Sequence, residues 1–341
     1  MSVITLLKHF VVSNALTLYY SMAIVIGFAV NYFKNPFRNP WATKVRLEPP
    51  ARLSDPKYGV HKYLKANNII LHYVENGDPS KPLMVFLHGY PEFWYSWRYQ
   101  LVEFSKDYWC IAVDMRGYCD SERPEEVSAY KIELLVEDIR DLVRQLGREK
   151  FILVSHDWGG IVACQYRDVY PETLQGIIVM SSTAIDIWNE AIWTYEEQRK
   201  KSWYVFLYRM PIIPELLFQQ NNLDLLDRAM LVKGKTTIDS QDIECFKYWF
   251  SKKHAITPPI NYYRANFRYT YTSQNFKEDI PFLYALGEKD PYVSKEISDL
   301  METRYTSLEK KVVKDLGHFM QQEDPDTINS LIRSFLNKHN L

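Results

Sequence analysis

Residues 151–160 read Phe-Ile-Leu-Val-Ser-His-Asp-Trp-Gly-Gly, an apolar strand running into a glycine pair with no loop between. A strand-to-helix turn that tight accepts only small side chains two before and two after the residue at its tip. Ser155 and Gly159 fill those places and Gly160 continues the pattern, so Asp157 is the residue presented. A carboxylate there is an oxygen nucleophile that needs no base for its own activation. The dipole of the following helix helps keep it ionised. An N-cap aspartate with packing glycines would read the same way, so the motif needs partners elsewhere in the chain.

The surrounding segments repeat one grammar. Residues 71–77, 83–89, 110–117, 174–182, 282–290 and 311–319 are short, largely apolar runs of strand length. Strands that lose the alternation of apolar and polar residues are covered on both faces, as in a parallel sheet flanked by helices. Residues 130–147 place Ile132, Leu135, Ile139, Leu142, Val143 and Leu146 on one helical face with Gly147 as a stop. An amphipathic helix over 325–339 closes the chain. The expected fold is α/β, with a mostly parallel, doubly wound sheet.

The rhythm stops between 184 and 270. That stretch is helical in pattern and crowded with aromatics, as in Trp203–Tyr208 and Tyr262-Tyr263, and the strands resume near 281. It reads as a helical cap of 184–270 inserted in a core of 57–183 and 271–341.

The N-terminus stands apart. After a tail of residues 1–9, the 24 residues 10–33 carry no charge, and about 20 suffice to span a bilayer. Ser13, Asn14, Thr17 and Ser21 weaken the apolar signal without abolishing it. A single-pass membrane anchor is the expectation, ahead of a cleaved signal peptide or a buried or interfacial helix. Lys34, Arg38, Lys44 and Arg46 follow the run and only Lys8 precedes it, which favours a body on the cytosolic side. The absence of an Asn-x-Ser/Thr sequon agrees with this. Residues 34–56, rich in proline and basic residues, read as a stiff linker.

Three further positions complete a chemical set. The turn His88-Gly89-Tyr90-Pro91 after strand 83–87 can aim the Tyr90 N–H at the nucleophile's carboxyl group, and with the Trp158 N–H it would form an oxyanion hole. Gly-Tyr-Pro also makes an ordinary turn, and His88 reads as a structural residue that fixes this loop. Asp290 ends the strand at Gly287-Glu288-Lys289-Asp290, and His318 ends the last strand at Leu316-Gly317-His318-Phe319. Each alone could be a surface turn residue. Together they give nucleophile, acid and histidine in one chain order, each at a strand's C-terminal end. Glu288 and Asp186 are weaker candidates for the acid.

With these residues in view, His88–Arg98, Asp114–Pro124, Ser155–Gly160, Gly287–Asp290 and Gly317–Phe319 resemble the epoxide hydrolases of the α/β-hydrolase superfamily, over residues 57–340. The N-terminus and the stretch Trp203–Glu215 look most like the membrane-anchored animal types 3 and 4. The resemblance implies an α/β-hydrolase fold with a cap and hydrolysis of an epoxide to a diol through an ester on Asp157. It further implies two cap tyrosines that bind and protonate the epoxide oxygen. Asn261-Tyr262-Tyr263-Arg264 matches one tyrosine motif, giving Tyr263; Trp203-Tyr204 ahead of Pro211 matches the other, giving Tyr204. With Trp158 these would also contact substrate. Cys119 stands where the family pattern has a glycine, in a loop that carries no catalytic group.

No cofactor or metal is expected. The net charge of −1 gives no reason to expect nucleic acid, and four scattered cysteines read as reduced thiols. The expected partners are a lipophilic small-molecule epoxide, such as a fatty-acid epoxide, and a membrane, with the endoplasmic reticulum the expected site. A haloalkane or fluoroacetate dehalogenase would use the same Asp157, Asp290 and His318, with Trp158 holding halide; phenol donors favour a leaving oxygen instead. A non-catalytic, membrane-tethered binding protein is the reading from another class, and filled catalytic positions disfavour it.

Overall fold

The computed structural model describes residues 2–230, 238–270 and 280–341. Helix α1 (Val3–Lys34) begins the chain. An antiparallel pair follows, β1 (Val60–Ala66) and β2 (Ile69–Asn76), then β3 (Leu83–Leu87), α2 (Arg98–Phe104) and β4 (Trp109–Val113). The core continues with α3 (Ile132–Gln145), β5 (Phe151–His156), α4 (Trp158–Val169) and β6 (Leu174–Met180). The inserted segment is helical: α5 (Ile185–Thr194), α6 (Glu196–Lys201), α7 (Trp203–Tyr208), α8 (Ile213–Met230), α9 (Ser240–Phe250) and α10 (Thr257–Asn266). The chain closes with β7 (Phe282–Gly287), α11 (Lys295–Arg304), β8 (Leu308–Val313), α12 (Met320–Glu323) and α13 (Pro325–His339). The expected return from cap to core at 271 lies outside the described residues.

The eight strands form one sheet in the order β1-β2-β4-β3-β5-β6-β7-β8. β1/β2 and β2/β4 are antiparallel and the rest parallel. This is an α/β-hydrolase fold. Residues of β3, β4 and β5 are all buried, the result of helices covering both faces. The chain leaves β3 toward one edge and re-enters at β5 toward the other. That reversal opens a crevice beyond the carboxyl ends of β3 and β5, where such sheets place their sites.

Two expectations need correction. The last strand is Leu308–Val313, not 311–319, so His318 sits on a loop beyond it rather than at its end. The Leu-Glu-Lys-Lys run of β8 lies on the sheet edge and is charged, so its apolar pattern is poor. The uncharged run 10–33 is also only part of α1, which extends to Val3 and takes in most of the supposed tail.

Residues 39–52 pack along the cap. The Asn221 N–H donates to Pro40 O at 2.6 Å, and Asn222 Oδ1 accepts from the Lys44 N–H at 2.9 Å and Arg46 at 3.1 Å. These bonds stitch the strap to the break in α8, where Asn221, Asn222 and Leu223 take positive φ; asparagine adopts that conformation at low cost. Arg46 pairs with Glu244, and Arg52 with Asp239 and Asp242, on α9 and its cap.

Candidate active site

Asp157 stands between β5 and α4 at φ 47°, ψ −118°, a strained conformation for a residue with a side chain. Small neighbours make it possible. A Cβ on Gly159 would meet Leu87 O at 2.2 Å, and one on Gly89 would meet the Asp157 Cβ at 2.4 Å. The turn after β3 thus presses directly on the carboxylate.

There the Tyr90 N–H donates to Asp157 Oδ1 at 2.7 Å. Trp158 opens α4, so its N–H is one of the helix's unpaired first donors. No hydrogen bond joins it to the Asp157 carboxylate in this state. His88 is fully buried and holds the loop: its Nδ1 is 2.8 Å from Gly89 O, and its Nε2 accepts the Met115 N–H at 3.1 Å.

Across the carboxylate, His318 Nε2 is 3.6 Å from Asp157 Oδ2 and Nδ1 donates to Asp290 Oδ2 at 2.9 Å. Asp290 Oδ1 accepts the N–H groups of Tyr292 and Val293 at 2.7 and 2.9 Å. Burial would raise the Asp290 carboxyl, but His318 and these two N–H groups outweigh it and hold it below its usual range. Burial also pulls the His318 imidazole down; Asp290 and then Asp157 outweigh that and raise it to about 10. Glu288 instead accepts from the Asp315 N–H at the surface, away from His318.

Tyr204 and Tyr263 converge from α7 and α10, with ring centroids 5.7 Å apart. Both line a cavity of about 340 Å³ together with Asp157 and His318. Burial first, then the nearby Asp157 charge among others, pushes both phenols well above their ordinary range, so both remain protonated donors. Trp158 packs edge-on against Tyr263 at 5.0 Å and lines a smaller adjoining pocket of about 30 Å³.

Several residues of the site escaped the sequence reading. Tyr292 packs on the His318 ring at 4.8 Å and lines the cavity; its place two residues after Asp290 was the available signal. Tyr208 shares a 3.0 Å hydrogen bond with the Tyr90 hydroxyl. Beneath the site, His156 places Nδ1 2.6 Å from Glu92 Oε2 and Nε2 2.8 Å from the carbonyl of His318. Glu92 also accepts from the Gly89 N–H, Gln321 and Gln322, each at 2.8–2.9 Å. Burial opposes its charge, but His156 and the Gly89 N–H outweigh burial and bring it to about 2. The loops carrying Tyr90 and His318 are thus tied to one buried carboxylate. Cys119 takes φ 44°, which explains the family's glycine there; the loop keeps the turn with a side chain in place.

The family model for the α/β hydrolase fold matches residues 82–325. Epoxide hydrolase 1 of Caenorhabditis elegans is 38% identical over 82% of this chain and 70% of its own length. Human epoxide hydrolase 4 is 35% identical over 88% of this chain and 84% of its own. Among solved structures, an epoxide hydrolase of Bacillus megaterium in complex with an inhibitor superposes with a TM-score of 0.74 at 28% identity, covering 81% of this chain and 100% of that one.

Proposed function

The chain belongs to the epoxide hydrolases of the α/β-hydrolase fold, enzymes that hydrolyse epoxides, and we propose that it does so through a covalent ester on Asp157, on a lipophilic epoxide reached from a membrane. One observation carries the reading: the Asp157 carboxylate has Oδ1 engaged by the Tyr90 N–H and Oδ2 facing His318 and the cavity.

That arrangement divides the two oxygens. Oδ2 is the free nucleophile and attacks an epoxide carbon from behind the breaking C–O bond. Tyr204 and Tyr263 donate to the departing oxygen, and one gives up its proton as the alkoxide develops. The product is an alkyl ester whose carbonyl oxygen is Oδ1. His318 then takes a proton from water, Asp290 holding its ring, and the hydroxide adds to the ester carbonyl carbon. The oxyanion forms on Oδ1, where the Tyr90 N–H already points and the Trp158 N–H is available. Collapse releases the diol and leaves the water's oxygen on Asp157.

The raised pKa of His318 fits this order. While Asp157 is anionic it helps hold the imidazole protonated. Esterification removes that charge, the pKa falls, and the histidine becomes a base when a base is needed.

The apolar cavity walls, including Leu217, Leu225 and Phe319, suit an acyl or aryl epoxide. α1 supplies the membrane attachment, and the basic residues after it favour a body on the cytosolic face of the endoplasmic reticulum. Single-turnover hydrolysis in ¹⁸O water with excess enzyme tests the mechanism. The ester route puts ¹⁸O into Asp157 and none into the first diol; label in the diol alone would mean direct attack by water.

A further inference from the structure

We propose that α1 does not cross the bilayer but lies along one leaflet, docked on the cap, and that the active-site cavity opens beside this membrane-facing surface. The inference extends the membrane attachment read above, and its test does not depend on turnover.

The polar residues that interrupt the apolar run form a single stripe. His9, Ser13, Thr17 and Ser21 recur every fourth residue and are the buried positions of α1. They face the cap. The His9 ring stacks on Trp193 at 4.3 Å, and its Nδ1 is 3.0 Å from Tyr269 O. Thr17 donates to Phe206 O at 3.1 Å and accepts from Arg209 at 3.1 Å. The same guanidinium donates to Ser13, to Asn14 at 3.3 Å and to the Tyr269 hydroxyl at 2.7 Å. Further along, Tyr20 packs on Trp203 at 5.8 Å, and Ile24 lines the cavity that holds Asp157.

From His9 to Ile24 is about 22 Å of helix at 1.5 Å per residue. The hydrocarbon core is about 30 Å thick. A helix crossing the bilayer with these contacts intact would draw the cap across most of that depth. Arg209 would go with it, and so would α6, whose Glu196, Glu197, Arg199, Lys200 and Lys201 lead through Ser202 into α7. Charged groups at that depth carry a steep penalty. Laid flat, the helix avoids it. Its outward side offers Leu7, Phe10, Leu18, Met22 and Val25, all exposed, with exposed Lys8 and Lys34 near its two ends at headgroup level. Helix and cap together are amphipathic where the helix alone is not.

The cavity's shape agrees. Its larger lobe runs from Asp157 toward Ile24, Trp203 and Leu225, whereas the pocket beyond Tyr204 and Tyr263 holds only about 30 Å³. The bulk of an asymmetric epoxide would lie on the α1 side, next to the acyl chains it came from.

The full chain carrying epitopes at both termini, in sealed microsomes, tests this. Protease added without detergent should remove both epitopes while the protein stays with the membrane after a high-salt wash. A protected N-terminal epitope means a spanning helix and overturns the inference. A washed-off protein overturns it too, pointing to a second copy or another protein on this face. As a second readout, Leu7→Cys and Val25→Cys lie about 27 Å apart on one face. Fluorophores there should be quenched at equal depth by brominated lipids; depths differing by most of that span would refute the flat placement. Absent epoxide turnover would leave these results standing and would count against the proposed activity alone.

Discussion

Nε2 of His318 stands 3.6 Å from Oδ2 of Asp157, near enough for the charges to act on each other and too far for a hydrogen bond. The histidine's raised pKa therefore depends in part on a charge that the reaction removes. Asp157→Asn should lower the titration point of His318 from about 10, read by NMR of the imidazole in the two proteins. An unchanged titration would remove the coupling from the mechanism. The sign for stability follows. A folded-state pKa above the ordinary 6.5 gives stability that is complete below that value and is lost as pH rises through about 10. Asp157→Asn should flatten that decline.

His318→Gln should separate the two chemical steps. Alkylation needs Asp157 and the tyrosines, whereas hydrolysis needs the base. Single-turnover kinetics should show ester formation within about tenfold of wild type and hydrolysis slowed by roughly 10²–10⁴-fold. The alkyl-enzyme should accumulate and appear in the intact mass. Failure to trap it would argue against the ester.

Tyr204→Phe and Tyr263→Phe each remove one donor to the developing alkoxide. Each should slow alkylation by roughly 10²–10³-fold, the scale for losing one oxyanion donor. The double variant should lose more, with the rate of ester hydrolysis little changed. Equal slowing of both steps would make these residues packing rather than donors.

Glu92→Gln leaves a buried cluster without its charge. Removing one member of such a pair costs about 3–5 kcal/mol, measurable by urea unfolding at neutral pH. Because the folded-state pKa of Glu92 lies near 2, its contribution is present above the ordinary 4.5 and fades as pH falls through about 2. The acid limb of unfolding should therefore move to higher pH in Glu92→Gln only if other carboxylates dominate it, and the wild-type excess in stability should shrink below pH 4.5.

The sheet and the loop order were legible because strands covered on both faces announce themselves as unbroken apolar runs. β1 was not: its residues are mostly exposed and half polar. β8 was misplaced for the same reason, and with it the setting of His318. The tips of the strands could be read because Gly89 and Gly159 leave little choice about what sits beside Asp157. Tyr292, Glu92 and His156 were not legible, since their roles arise from loops brought together by the sheet rather than from spacing. The polar breaks in α1 were visible as a weakness in an apolar run. Only the cap explains their period of four.

A line of contacts runs from the strap to the histidine. Arg52 bonds Asp242 at 2.7 Å, and Asp242 meets Arg98 at 3.1 Å. Arg98 donates to Gln322 at 2.6 Å, and Gln322 to Glu92 at 2.8 Å. Through His156 the line reaches the carbonyl of His318. The segment between helix and sheet is thus part of the scaffold of the active site, not a detachable tether. A soluble form made by deleting everything before β1 would lose Arg46 and Arg52 along with the hydrophobic helix, and with them one end of the truss that aims the base. A cut placed between α1 and Pro40 would spare it.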